Sequence, residues 1–240
     1  MKRRSATEVV HRAAARLRFM TWAFASLLLA LPAWASEREV PADNRGQATT
    51  QPPASETVKP GIFWGTVIRR DEFSPLTGKQ RWGLYWRQTY WTPGVFFRAA
   101  GPALGAHLDN DPPQWGQGAA GYSRRFADRF ARFTIQDSIE AAAAAALKYD
   151  VRYVRCGCRG FFPRLGHAMA WNFLTLDRKG RTVFDAPLVG SAFAAEFIGN
   201  TWLPEGHRSA ADAIRGVGVE LGIGVLFNTI REFVPARKRK

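Results

Sequence analysis

A long amphipathic helix is the strongest structural signal in this chain, and we predict that it covers residues 122–149. Three phenylalanines recur in it at intervals of four and three residues, which places their rings on one helix face. They are Phe126, Phe130 and Phe133. Three arginines repeat this spacing one residue earlier and therefore lie about 100° away around the helix. They are Arg125, Arg129 and Arg132.

Further helices are predicted on both sides of the long one. Helical signals begin near residue 77, and a segment that starts at Thr92 is lined by glycine and alanine and interrupted by Pro102. Residues 162–174 carry apolar positions in helical register. Two more helices begin at side-chain caps, which are Asp185 and Ser209. We therefore predict a mainly α-helical domain in residues 61–234, a single compact bundle of about five helices with glycine and alanine at its interfaces.

Short extended segments are expected at two places. Residues 61–70 are β-branched and aromatic, which fits an edge strand or an extended arm at the start of the domain. The turn at 177–180 separates two apolar segments, 173–176 and 182–184. These segments either belong to helices or pair as a small hairpin, and the sequence leaves both alternatives open.

The last helix is punctuated by glycine. Four glycines lie inside it: Gly216, Gly218, Gly222 and Gly224. Each costs roughly 1 kcal/mol relative to alanine in a helix interior, so another part of the structure must come very close to this helix. Gly218 and Gly222 have the G-x-x-x-G spacing of packed membrane helices, a spacing that soluble proteins also contain. Glu220 interrupts the apolar run, and we predict no membrane-spanning helix after the leader.

Residues 1–35 have the layout of a signal peptide. Six basic residues and one acid occupy 1–18, an uncharged apolar run follows, and Ala33-Trp34-Ala35 supplies the small side chains that signal peptidase needs. The alternative is an uncleaved anchor, for which the apolar run of 16 residues is short. The whole chain has 34 basic and 20 acidic residues. Without the six basic residues and one acid of the leader, 28 basic and 19 acidic residues remain, a net charge of +9.

Two further segments lie outside the predicted domain. Residues 36–60 hold four prolines and almost no large apolar side chain. Such a segment cannot bury enough surface to offset the entropy lost on ordering, so we predict a disordered linker. Residues 235–240 form a short basic tail.

The charge and the tryptophans indicate an anionic surface outside the cytoplasm as the partner. An exported basic chain meets anionic lipid or acidic envelope polymers rather than nucleic acid, and tryptophan mixed with arginine suits a lipid–water interface, either peripheral or partly embedded. The predicted contact residues are Arg81, Trp82, Trp86, Arg87, Arg125, Arg129, Arg132, Lys238, Arg239 and Lys240. Two alternatives remain: the aromatic rings pack the core, and the arginines of the long helix form a solvated face paired with Asp128.

Two constellations offer chemistry. His167 would act as a general base with Asp185 or Glu196 folded against it, although a helical histidine is more often a hydrogen-bonded core residue. Cys156 and Cys158 form a C-x-C pair that closes locally, exchanges disulfides with a partner or, with further ligands, holds a metal. The remaining histidines are scattered and no nucleotide-binding or metalloprotease motif occurs, so we predict no cofactor and no metal site.

Four short motifs lie between residues 103 and 233. They are Gly-Gln-Gly at 116–118, Gly-Tyr-Ser-Arg-Arg-Phe at 121–126, Tyr-Asp-Val-Arg-Tyr at 149–153 and Leu-Phe-Asn-Thr-Ile-Arg-Glu-Phe at 226–233. In these the chain resembles an uncharacterised family of exported bacterial envelope proteins, which has no assigned activity. We expect a non-catalytic protein of the periplasm or outer membrane with a structural or interaction role. The alternative is a small hydrolase or thiol-redox protein built on His167 or on the cysteine pair.

The mature chain is expected to begin at Ser36. When the full sequence is expressed in a Gram-negative host, N-terminal sequencing of the envelope fraction should read from Ser36. Ala35→Arg should block cleavage because the −1 subsite accepts only small side chains, whereas Ala42→Arg, beyond the site, should leave cleavage intact. An envelope-bound protein that still begins at Met1 would establish the uncleaved anchor instead.

Overall fold

The computed structural model describes residues 66–234, all of which belong to one compact unit, Ser55–Lys240. The predicted signal peptide, linker and basic tail lie outside the described residues. Six α-helices are present in the described part: α1 Gly78–Tyr90, α2 Gly94–Leu108, α3 Gly118–Leu147, α4 Phe161–Ala170, α5 Ala186–Gly199 and α6 Ala210–Phe233. The predicted mainly helical bundle is confirmed, with six helices rather than about five.

Four short strands complete the fold of this part. β1, Val67–Ile68, pairs in parallel with β2, Tyr153–Val154. β3, Leu174–Leu176, pairs antiparallel with β4, Thr182–Phe184. Of the two alternatives for the segments around the turn at 177–180, the hairpin is therefore the one that forms, and the preceding helix ends at Ala170 instead of continuing to residue 174.

Side-chain caps set the start of three helices. Thr77 and Gln80 form a capping box at α1, and Ser209 and Asp212 form one at α6. The Asp185 carboxylate accepts a hydrogen bond from the Leu188 amide at the start of α5 (3.1 Å). The caps predicted at Asp185 and Ser209 are thus confirmed. Pro102 lies inside α2, which continues past it as one helix and is not divided into two there.

Helix α3 is the centre of the bundle. It packs against α2, α5 and α1, and none of its residues between 128 and 141 is exposed. The predicted phenylalanine face is confirmed, because Phe133 packs against Val95 and Ala99 of α2, with Phe126 and Phe130 beside them. A second small cluster beneath the strands contains Ile68, Val154 and Leu176.

Two glycines of α6 make the close approaches that the sequence predicted. A Cβ added at Gly216 would collide with the Glu196 carboxylate, and one added at Gly224 would collide with the Asn172 side chain. Gly218 and Gly222, which form the G-x-x-x-G spacing, have no atom within 4 Å of an added Cβ. The contacts that require glycine are therefore made with polar side chains, not with a second helix backbone at the G-x-x-x-G positions.

Alanine substitutions along α6 test this difference. Gly216→Ala should lower the free energy of unfolding by ~1–3 kcal/mol, because Glu196 must leave its position against Arg132. Gly218→Ala is the matched control and should raise stability by up to ~1 kcal/mol, since alanine favours the helix and open space surrounds it. Urea unfolding measures both, and equal effects at the two positions would contradict the structure.

Candidate functional site

A stripe of polar side chains runs along α3 through the interior of the domain. Its members follow at helical intervals: Arg125, Asp128, Arg132, Gln136, Asp137 and Glu140. Arg125 is 1% exposed, Arg132 5% and Gln136 6%. Because a buried charge costs several kcal/mol unless it is paired, other elements must supply partners for this stripe.

Arg125 binds the loop that precedes its own helix. Its guanidinium donates to the backbone carbonyls of Asp111 (2.9 Å), Pro112 (2.8 Å) and Gly116 (2.7 Å). These carbonyls would otherwise lack partners in a turn packed against the helix. Arg125 is therefore a buried anchor for the loop, and its predicted role in binding an external anionic surface is wrong.

Arg132 lies in a buried ionic network between α3 and α5. Its guanidinium donates to Asp128 (2.8 Å) and to the Glu196 carboxylate (2.7 Å), while the indole N–H of Trp202 donates to Asp128 (2.8 Å). Arg129, which is partly exposed, lies 3.9 Å from both carboxylates. Two arginines thus balance two acids. The pairing with Asp128 that the second alternative predicted is present, but Arg132 is buried rather than solvated and is not available to an external anion, whereas Arg129 stays partly exposed.

Only part of the predicted basic contact surface is exposed. Arg81 is half-buried and donates to the carbonyls of Tyr149 (2.6 Å) and Ala144 (3.4 Å) at the end of α3, so it stabilises the helix terminus. Arg87 is exposed, as are Trp82 (65%) and Trp86 (45%), whose rings stack 6.2 Å apart. These tryptophans do not pack the core. Lys238, Arg239 and Lys240 lie outside the described residues.

A second ionic network links three helices. Arg98 of α2 forms ion pairs with Asp137 of α3 and Glu220 of α6, both at 3.0 Å. Burial alone would lower the pKa of Arg98, but the two carboxylates outweigh it and raise that pKa above the ordinary arginine value. The sequence presented Arg98 and Glu220 only as charges that interrupt apolar helices, and we did not predict them as site residues.

A polar cavity of about 200 Å³ lies beside this network. Its lining includes side chains from α1, α2, α3 and α6 and from the segments around β2 and β3. Burial raises the pKa of the Glu140 carboxyl to about 8, helped by the negative charges of Asp185 and Asp137 and opposed by the positive charges of Arg98 and Arg231. Burial also raises the pKa of Asp185 to about 6, against the opposing effect of its hydrogen bond from Leu188.

A third polar cluster surrounds Glu232 at the end of α6. Its carboxylate is 0% exposed and accepts hydrogen bonds from the Tyr153 hydroxyl (2.9 Å), the Cys156 amide (3.0 Å) and Arg164 (2.9 Å). Burial and the Glu232 charge both raise the pKa of Tyr153. The cluster connects α6, β2 and α4.

The predicted catalytic residues are not brought together. His167 stacks on Trp171, and its Nε2 donates to the Val154 carbonyl (2.8 Å), so this nitrogen carries the proton. Asp185 caps α5 and Glu196 pairs with Arg132. Within residues 66–234, none of these three side chains bonds to another. The arrangement matches the alternative of a hydrogen-bonded core histidine.

Cys156 and Cys158 are joined by a disulfide, with their Cα atoms 5.2 Å apart. Of the three alternatives that the sequence left open, the structure contains the locally closed pair. Both cysteines are half-buried, and the amide of Cys156 is held by Glu232. Among the described residues, no group of three or more His, Cys, Asp and Glu side chains is arranged to hold a metal ion.

Three helices have apolar surfaces toward solvent, which we call the apolar outer faces. The exposed large side chains are Phe96, Phe97, Leu104 and Leu108 on α2, Phe193, Phe197 and Ile198 on α5, and Ile214, Val219 and Leu226 on α6. Arg215 is the one charged residue among the exposed positions of these three helices. In the described part of the chain, α6 alone is long and apolar enough to cross a membrane, with mean hydropathy 1.4.

Comparison of the chain with protein-family models, with curated proteins and with solved structures returns no match.

Removing one partner from the buried network should destabilise the domain strongly. Arg132→Met leaves Asp128 and Glu196 without their closest cation, and we expect a loss of ~3–5 kcal/mol in the free energy of unfolding. Arg69→Met breaks an exposed pair with Asp71 and should change stability by less than ~0.5 kcal/mol. Urea unfolding at neutral pH compares the two. A loss below ~1 kcal/mol for Arg132→Met would mean that this pair is solvated.

Proposed function

We propose that this protein is a non-catalytic component of the bacterial envelope that attaches to a lipid surface through its helical domain. One observation carries the proposal: the charges of α2, α5 and α6 are mostly turned into the domain, and their apolar side chains are turned outward. A water-soluble domain has the opposite arrangement. Export to the envelope is the part that rests on the predicted leader and on the family resemblance.

Helix α2 shows most clearly that apolar side chains are exposed while the charged side chain is turned inward. Its exposed positions are Phe96, Phe97, Gly101, Leu104, Gly105 and Leu108, with no charged residue among them. The one arginine of this helix, Arg98, is instead paired with Asp137 and Glu220. An amphipathic helix packed in water would place its charge outside and its phenylalanines inside.

Helices α5 and α6 repeat this arrangement. On α5, Glu196 is buried against Arg132 while Phe193, Phe197 and Ile198 are exposed. On α6, Glu220 faces Arg98, whereas Leu226 is 58% exposed. Exposed apolar patches beyond a few hundred Å² are uncommon on soluble monomers and mark interaction surfaces. Three successive apolar faces therefore favour a hydrocarbon environment.

The exposed aromatic side chains on and next to α1 favour binding at the lipid–water interface. Trp82, Trp86 and Trp91 are exposed, and Arg87 lies beside them on the surface. Indole rings favour the headgroup region, where the apolar ring and the polar N–H are both satisfied. Arginine adds attraction to anionic headgroups, and the mature net charge of +9 acts in the same direction.

The enzymatic alternative has less support from the geometry. His167 is occupied by the Val154 carbonyl and stacks on Trp171. A hydrolase would need this ring to reach an acidic partner and a substrate. We therefore propose lipid attachment, and not catalysis, as the function.

Flotation with vesicles tests the proposal. The mature full-length protein should float with neutral phosphatidylcholine vesicles and stay bound at high salt, because apolar insertion is not screened. Adding phosphatidylglycerol should strengthen binding at low salt only. The double variant Phe97→Asp, Leu104→Asp should bind neutral vesicles at least tenfold more weakly, since two apolar side chains no longer enter lipid.

The matched control adds the same charge elsewhere. Ser74→Asp with Gln114→Asp places two carboxylates at exposed positions outside the apolar outer faces and should float as the parent does. Thermal unfolding checks that both double variants keep the fold. Absence of flotation with every vesicle, or an equal loss in the control, would refute the lipid-bound reading.

A further inference from the structure

The charges that line the polar cavity do not balance. Five carboxyl groups line it: Asp137, Glu140, Asp150, Asp185 and Glu220. Four guanidinium groups line it as well: Arg81, Arg98, Arg152 and Arg231. With all nine ionised, the lining carries one negative charge in excess. Because an uncompensated charge in a protein interior is costly, either a proton or a bound cation must neutralise it.

The ion pairs and hydrogen bonds show which carboxylate oxygens of the lining stay open. Arg98 is shared by Asp137 and Glu220, and Arg152 binds Asp150 at 2.6 Å. Glu140 makes no hydrogen bond or ion pair within the described part of the chain. Asp185 uses one oxygen to accept from the Leu188 amide, which leaves its other oxygen open. The acceptor oxygens that stay open are therefore those of Glu140 and Asp185, whose charges repel each other, while Arg98 and Arg231 attract the charge of Glu140.

Independent evidence for a ligand comes from a neutral side chain of the cavity. Gln136 is 94% buried at 6% exposure and lines the cavity, yet its amide bonds to no other residue of the described domain. Buried polar groups are nearly always hydrogen-bonded. The volume of about 200 Å³ is several times the ~30 Å³ share of one water molecule.

We propose that this cavity binds a small organic monocation of the primary-ammonium class, with Glu140, Asp185 and Gln136 as its hydrogen-bond acceptors. An ammonium group has three N–H donors and no acceptor, which matches three open acceptors. Its single positive charge removes the excess in the lining. The aromatic rings of Tyr85 and Trp171, which also line the cavity, suit the apolar part of such a ligand and attract its charge. This inference does not rest on lipid binding.

In the empty cavity a proton takes the place of the cation. Burial holds the pKa of Glu140 at about 8, so at neutral pH this carboxyl is mostly protonated and the lining is balanced. The charged groups that act on Glu140 are Asp185, Asp137, Arg98 and Arg231. The other ionisable groups of the cavity lining are Glu220 on α6, Arg81 and Tyr85 on α1, and Asp150, Arg152 and Tyr153 in and beside β2. Binding an ammonium ion must therefore release this proton, and affinity must rise with pH until Glu140 is ionised.

Isothermal titration calorimetry of the full-length protein in detergent, without vesicles, tests the proposal. The probe is n-butylammonium chloride at constant sodium chloride, and n-butanol is the neutral control. Between about pH 6.5 and 7.5 the affinity for the ammonium should rise close to tenfold, and above about pH 8.5 it should level off. Buffers of different ionisation enthalpy should report release of one proton at the lower pH. Butanol should bind at least tenfold more weakly.

Two conservative variants separate this site from adventitious binding. Glu140→Gln keeps the shape of the protonated carboxyl and removes its charge, so it should weaken ammonium binding at least tenfold and abolish the pH dependence. Asp185→Asn still caps α5 and should also weaken binding. Asp71→Asn, an exposed change outside the cavity, should have no effect.

Three results would overturn the proposal. They are no measurable binding at about pH 8.5, equal binding of butanol, and unchanged binding in a folded Glu140→Gln variant. Because the measurement contains no vesicles, none of these outcomes bears on lipid attachment, and failure of flotation would leave this site intact.

Discussion

The ion pairs that join α3 to its neighbours organise the rest of this domain. A helix of 30 residues with Arg125, Asp128, Arg132, Gln136 and Glu140 on its buried stripe is stable at the centre of a bundle only if other elements supply partners. Glu196 reaches Arg132 from α5, and Glu220 meets Asp137 through Arg98. Each ion pair fixes how a surrounding helix is rotated about its own axis, because the charged side chain of that helix must point inward to reach its partner.

That orientation determines the surface. A helix that turns its only charges inward has nothing but apolar side chains and glycine to present outward, as α2 does with Phe97 and Leu104. The interior network and the apolar outer faces are thus two consequences of one arrangement. In the lipid environment that we propose, the apolar outer faces would be removed from water, which is favourable, and the buried pairs would be shielded from competing solvent. Glu140, which makes no hydrogen bond or ion pair among the described residues, is held at a raised pKa by its burial.

Local features were predictable because they depend on neighbours in sequence. The phenylalanine face of α3 follows from the helical period, and the caps at Asp185 and Ser209 follow from side chains that satisfy free amides. The close approaches at α6 were predicted from the cost of glycine, although their partners, Glu196 and Asn172, were not. The arginines of α3 were predicted to lie on an exposed face. The helical period shows that three side chains share a face, but it does not show whether other elements cover that face. The sequence did not mark three residues of the polar interior as site residues, because each is only a charge inside an apolar or alanine-rich segment. They are Arg98, Glu140 and Glu220.

The mainly helical character of the domain, the start of several helices and the side chains that share each helix face could all be predicted from the sequence. These properties arise from backbone hydrogen bonding and side-chain spacing over a few residues. The fold was needed to show that the charged faces point inward, that His167 bonds to a backbone carbonyl and that Glu140 makes no ion pair among the described residues. These depend on contacts between residues far apart in the chain, such as Arg98 and Glu220, and the energy of a charge depends on which partner the fold brings to it.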